Sequence, residues 1–182
     1  MMCPILQHFP RGLRISLCTL AMAVGGAAAV IAADAAGMPR VRSGHSYIRA
    51  MIEEAAQRSN TFRNLVKGIE ATDGIVYVEQ GACGHSVRAC LSLEVTPAAG
   101  YRILRVIVDA RQPDWEVMAS IGHELQHALE VLGNVTLKTS AAVYLFYSRP
   151  GGSGDSFETS EAIKAGNAVR NEVGSYARRK LS

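Results

Sequence analysis

The run His123-Glu124-Leu125-Gln126-His127, a match to H-E-x-x-H, constrains this chain more than any other feature. Two imidazoles four residues apart reach a common ion only on a helix, where such residues sit one above the other. On that helix Met118, Ile121, Leu125, Ala128, Leu129 and Leu132 form one apolar stripe, and His123 and His127 project from the other side. The chain therefore has to build a core against one face of this helix and leave the opposite face on a cleft. Pro113 and Asp114 mark its start, with Asp114 as N-cap and Glu116 in the first turn, and Gly133-Asn134 marks its end. The competing reading is a solvated helix face that happens to carry two histidines.

The rest of the pattern predicts what that helix packs on. His45–Arg58 has apolar residues at helical spacing, and a second helix or turn follows from Thr61 to Ile69. Thr72-Asp73-Gly74 breaks the pattern before a β-branched strand, Ile75–Glu79. A second strand is expected at Leu91–Val95, a turn at Thr96–Gly100, and a third strand at Tyr101–Asp109, interrupted by Arg102 and Arg105. Strands joined by a turn suggest antiparallel pairing. After the H-E-x-x-H helix come a short helix near Ala141–Tyr147, a glycine-rich linker over residues 151–154, and a last helix from Ser156 to Tyr176. The fold class expected is α+β, a small antiparallel or mixed sheet packed against the H-E-x-x-H helix. A length of 182 residues suits one domain.

The N-terminus has a different character. Arg11 and Arg14 precede the uncharged apolar stretch Ile15–Ile31, and small residues follow, which reads as an export signal over residues 1–35 with cleavage expected after Ala33 or Ala35. The apolar stretch falls short of about 20 residues and is diluted by Gly25 and Gly26, so an uncleaved anchor is the weaker reading. Cys18 follows a bulky Leu17, which disfavours lipidation. The domain proper is then 36–182, exported to the periplasm or secreted, with no stable membrane association. Two cysteines remain in it, Cys83 and Cys90, and an oxidising compartment favours a disulfide over a Cys/His metal site that would include His85. A net charge of +3 with scattered basic residues disfavours nucleic acid as a partner.

Zinc takes three protein ligands at a catalytic site and leaves a fourth position for water. Glu130 and Gly133 stand where the metzincin pattern requires a glycine and a third ligand, so that pattern fails and the third ligand is expected from a downstream acid. At this point HELQH resembles the gluzincins, and the short chain resembles their reduced members, the minigluzincins. The resemblance implies a zincin-like fold, a glutamate ligand on a later helix, and a substrate peptide held on an edge strand beside the metal helix, for which Tyr101–Asp109 is the expected strand. Glu158, Glu161 and Glu172 compete for the ligand role. On the wheel of the last helix Glu158 heads the face formed by Ala162, Ala165, Val169, Val173 and Tyr176, where a buried carboxylate needs a partner. Glu158 is therefore the expected ligand, the rival reading being a helix N-terminal acid in a capping-box spacing with Asp155.

The chemistry expected is zinc-assisted hydrolysis of a peptide or protein substrate, with His123, His127 and Glu158 holding Zn2+ and Glu124 as general base. Tyr144, Tyr147 and His85 are candidates for an oxyanion donor, and none is assigned. Trp115 reads as an anchor for the first turn of the metal helix. Two further functions stay open: a non-catalytic binding or regulatory protein with a zinc-stabilised fold, and a latent enzyme blocked by its own N-terminal segment.

Overall fold

The computed structural model describes residues 37–84, 87–148 and 157–180, with side chains up to residue 174 in the last stretch. The expected signal, residues 1–35, its cleavage site, His85, Asp155 and the Tyr176 side chain lie outside this description. All elements named below fall in the unit Pro39–Ser182.

In chain order they are β1 (Val41–Arg42), α1 (Ser46–Arg58), α2 (Asn60–Glu70), β2 (Gly74–Gln80), β3 (Ala89–Leu91), β4 (Thr96–Ala98), β5 (Tyr101–Val108), α3 (Asp114–Gly133), α4 (Ser140–Tyr147) and α5 (Ser160–Lys180). The class is α+β with a small mixed sheet. Its strand order is β1-β2-β5-β3, with β4 also on β5.

The antiparallel pairing expected across the turn is present, and parallel pairing on the other side of β5 makes the sheet mixed. β1 and β2 are parallel, and so are β2 and β5, in the register Val76↔Leu104 and Val78↔Val106. Only β3 and β4 run antiparallel to β5. The strand expected at Leu91–Val95 is instead β3, two residues earlier, and the expected turn contains β4. The reason is packing. Leu104, Val106 and Val108 alternate into the core beside Val76 and Val78, so these two apolar rows become neighbours at the centre of the sheet. β3 and β4 then share the other side of β5, and Val95 between them is buried. The β4–β5 hairpin turns on Ala99 and Gly100, both left-handed, with φ of 49° and 83°. Two left-handed residues match the twist of a tight hairpin, at a cost for alanine that glycine does not bear.

The buried row meets α1, α2 and α3 through Ile48, Met51, Phe62, Leu65, Ile69, Met118, Ile121, Leu125 and Leu132. Helix α3 is enclosed on more sides than one apolar stripe predicts, since Val117, Gly122 and Val131 are buried too, while Leu129 is only partly so. Trp115 does not anchor its first turn: the side chain is 43% exposed, and Val117 and Met118 fill the core instead. Asp114 is not a cap either; it accepts the Tyr47 hydroxyl at 2.8 Å.

The other end of α3 is tied to the sheet by Arg102, which is 4% exposed. Its guanidinium donates to Asp73 and to the carbonyls of Val131, Leu132, Asn134 and Leu137 at 2.6–3.2 Å. The last turn of α3 has no basic residue of its own. The charge from β5 thus meets the orphan carbonyls and the negative end of the helix dipole. The arginine that interrupts β5 in the sequence is the bolt that fixes α3 lengthwise on the sheet.

Candidate metal centre

His123, Glu124 and His127 lie in the middle of α3, where helix α5 crosses closely. The close crossing depends on small residues. A Cβ on Gly122 would stand 2.7 Å from Val169 Cγ2, and one on Gly166 would stand 3.0 Å from His123 Cβ. The approach brings the segment ahead of α5 over the two histidines. Its Glu158 Oε2 lies 3.1 Å from His123 Nε2. The two imidazole rings are edge to face with centroids 4.9 Å apart.

His123, His127 and Glu158 each present one ligand atom, all within 4.8 Å of one another. A tetrahedral ion with bonds of about 2.0–2.2 Å sets its ligand atoms about 3.3–3.6 Å apart. The 3.1 Å between His123 Nε2 and Glu158 Oε2 is already close to that spacing. Two neutral imidazoles and a carboxylate are a donor set suited to a divalent transition metal. This group could hold a metal ion.

No family model, curated protein or solved structure matches the chain. The geometry therefore has to carry the functional argument by itself.

The three competing glutamates separate cleanly. Glu161 is exposed and pairs with Lys164 at 3.1 Å. Glu172 faces the start of α2, accepting from the Ser59 hydroxyl and from Thr61 N and Oγ1. Glu158 alone reaches the histidines, though not for the reason the sequence suggests. Helix α5 begins at Ser160, so Glu158 precedes it, and its side chain is 44% exposed rather than heading the buried face. That face is real: Ala162, Ala165, Val169 and Val173 are all buried. What places Glu158 is its neighbour Thr159, whose hydroxyl caps Ala162 N at 3.1 Å and donates to Glu130 Oε1 at 2.8 Å.

Glu130 is the residue that sequence reasoning missed. One turn beyond His127, its Oε2 lies 3.2 Å from His127 Nδ1. It also accepts from Tyr147 at 3.3 Å and Gln126 at 3.3 Å. With Nδ1 given to a carboxylate, Nε2 of His127 is the nitrogen left for the cleft, and the ring is fixed in orientation. The signal available in the sequence was the i, i+3 spacing of a histidine and an acid on one helix face. Burial would raise the Glu130 pKa, but the bonds from His127 and Thr159 outweigh it and hold the carboxyl below its ordinary value. Burial would likewise lower His127, and the Glu130 bond with the nearby carboxylates outweighs it, so this imidazole is raised. His123 is lowered, mainly by burial.

Glu124 is 5% exposed. Burial pushes its pKa up to about 7, against smaller opposing effects of the His127 charge and the Leu91 backbone. Its Oε1 stands 4.0 Å from His123 Nε2, beside the ligand group rather than within it. A buried carboxyl that titrates near neutrality is poised to exchange protons.

Two cavities flank this point. One, of about 420 Å³, is apolar and lined by Leu91, Leu93, Tyr147 and Phe157, with Glu124, His127 and Glu158 at its wall. The other, of about 220 Å³, is polar and holds Ser120, Asn167, Arg88 and Arg170 beside His123 and Glu124. Of the proposed oxyanion donors, Tyr144 is exposed and rests near Phe157, whereas the Tyr147 hydroxyl reaches His127 O at 3.1 Å. Burial, then the charge of Glu130, raises the Tyr147 pKa.

β3 forms the rim. Asp109 N donates to Arg88 O and Ser92 N to Arg105 O, so the residues paired to β5 are Arg88, Cys90 and Ser92. The peptide groups of Ala89 and Leu91 point the other way, to the free edge. The expected substrate strand, Tyr101–Asp109, is interior; the edge beside the metal helix is β3. Cys83 and Cys90 form the expected disulfide, with Cα atoms 6.0 Å apart, and it ties β3 to the end of β2.

Proposed function

We propose that this chain is a zinc-dependent peptidase of the H-E-x-x-H type, acting on peptides or proteins outside the cytoplasm. The observation that carries the reading is the convergence of His123, His127 and Glu158 with the buried carboxyl of Glu124 alongside. His123 and His127 would offer Nε2 and Glu158 a carboxylate oxygen to the ion. When bound, zinc supplies a Lewis acid that acidifies water and polarises a carbonyl.

The protein's own residues do the rest. Glu124 accepts a proton at its carboxylate and returns it to the leaving amine, a task suited to a buried carboxyl beside the ligand group. The outward peptide groups of Ala89 and the Leu91 carbonyl take an extended substrate by strand addition, which gives affinity without strict sequence preference, while the Leu91 N–H faces Glu124. The apolar cavity beside Tyr147 and Phe157 excludes water on one side. The disulfide supports placement in an oxidising compartment, and no helix among the described residues is long and apolar enough to cross a membrane.

The decisive variant is Glu124→Gln. Peptide cleavage should fall by a factor on the order of 10² to 10⁴ while zinc is retained. A zinc-loaded wild type that cleaves nothing across a broad peptide library would favour a non-catalytic binding protein.

A further inference from the structure

The polar cavity carries charge that the hydrolytic reading does not use. Arg88, just ahead of β3, and Arg170, on α5, converge from opposite sides on one carboxylate, Glu116 Oε2, at 3.7 and 2.9 Å. Glu116 is largely buried beneath them, whereas Arg88 keeps 64% of its side-chain surface exposed and Arg170 keeps 39%. Two guanidiniums over a single carboxylate leave one guanidinium charge that Glu116 does not match; of the two other acids in this cavity, Glu158 is the one that the peptidase reading gives to the ion, and Glu124 is its proton acceptor. Asn167 Oδ1 accepts from Arg170 Nη1 at 2.7 Å and holds that fork in place.

The position of this charge relative to the edge strand gives it meaning. Val87, Ala89, Glu124 and Glu158 line both cavities, so the two are halves of one cleft that meet at the proposed catalytic carboxyl. A strand laid on the edge of β3 passes from the apolar half, across Glu124, to the arginine half. At a rise of about 3.3 Å per residue, residues on either side of the scissile bond fall one in each half.

We propose that the Arg88–Arg170 half is a carboxylate subsite, and that the preferred substrates carry an acid within one or two residues of the cleaved bond. This rests on the peptidase reading. The carboxylate is either an aspartate or glutamate side chain or the free C-terminus of a short peptide; both present the planar pair of oxygens that a guanidinium fork grips. Hydrogen bonds to a charged partner of this kind are worth about tenfold to a hundredfold in binding.

The test uses the zinc-loaded Glu124→Gln chain, which binds without turnover, and a library of octapeptides with one fixed leucine. The other positions are varied, and every peptide is made with both a free and an amidated C-terminus. Bound peptides are recovered and sequenced by mass spectrometry. The proposal expects about tenfold enrichment of Asp or Glu over Asn or Gln at one position if a side chain is held, or of free over amidated termini if the terminus is held. Arg88→Gln should abolish the enrichment, and Arg88→Glu should replace it with a preference for Lys or Arg. Because Arg88 is exposed, neither variant should threaten folding. Peptides bound without acidic or free-terminal preference overturn the subsite and leave the peptidase reading standing. If no peptide binds and the wild type cleaves none, both fall.

Discussion

Replacing Glu130 with glutamine probes the support of the metal centre at constant shape. The amide keeps one oxygen that can still accept from Thr159, now 2.8 Å from Oε1, but it puts an NH2 group opposite His127 Nδ1 in place of a carboxylate oxygen. Two donors then face each other unless the imidazole turns or changes tautomer, and either change takes Nε2 out of position for an ion. Loss of such an outer carboxylate costs about 10- to 100-fold in metal affinity, or about 1.4–2.7 kcal/mol. Glu130 also holds the segment that carries Glu158 through Thr159, which argues for the upper part of that range. Thr159→Val and Tyr147→Phe each remove one of its bonds and should weaken zinc less. The assay is competition against a chromophoric chelator, with circular dichroism to show that each variant is folded. A folded Glu130→Gln protein that binds zinc within twofold of wild type would mean that Glu130 does not orient His127 for an ion.

Three further outcomes follow from the structure around the site. Arg102→Met removes the guanidinium from the Leu132 and Leu137 carbonyls, leaves Val131 and Asn134 with their backbone donors alone, and returns the half-exposed Asp73 to solvent; it should cost about 2–4 kcal/mol in urea unfolding, and a loss under about 1 kcal/mol would mean that α3 is held by packing alone. Glu172 is pulled up by burial but held below its ordinary pKa by Ser59 and Thr61. A lowered folded value stabilises above the unfolded value of about 4.3 and is lost as the pH falls through the folded one. Glu172→Gln should therefore cost on the order of 1 kcal/mol at pH 7 and almost nothing at pH 2–3, in unfolding curves at the two pH values. Ala99→Gly relieves a φ of 49° and should stabilise by about 0.5–1 kcal/mol in thermal melts; an unchanged or lower melting temperature would count against a strained hairpin.

What the sequence disclosed was mostly local. HELQH, its helix and both helix boundaries follow from a 3.6-residue period and from Pro113 and Gly133, α1 is read from the same period, and α2 was legible only as a helix or turn. Pairing across the sheet is not local. That β2 and β5 run side by side in parallel depends on two inward rows separated by more than twenty residues, and β4 hides behind Pro97 in a run that reads as a turn. The buried role of Arg102 is invisible for the same reason, since its partners sit at the far end of α3. Glu158 came out of a choice among three acids by an argument that placed it on a helix, whereas Thr159 caps that helix and leaves Glu158 just outside it. Glu130 required knowing that Thr159 and Tyr147 arrive from two other segments. The edge of the cleft, β3 rather than β5, depended on strand order.

Metal binding by His123, His127 and Glu158 is tested most directly by the zinc content of the purified domain after mild chelation and return of zinc, for wild type, His123→Ala and Glu158→Ala. The wild type should hold about one zinc per chain, and both variants should lose it or bind it markedly more weakly. A folded wild type that takes up no zinc would contradict such binding, and zinc unaffected by Glu158→Ala would move the third ligand elsewhere.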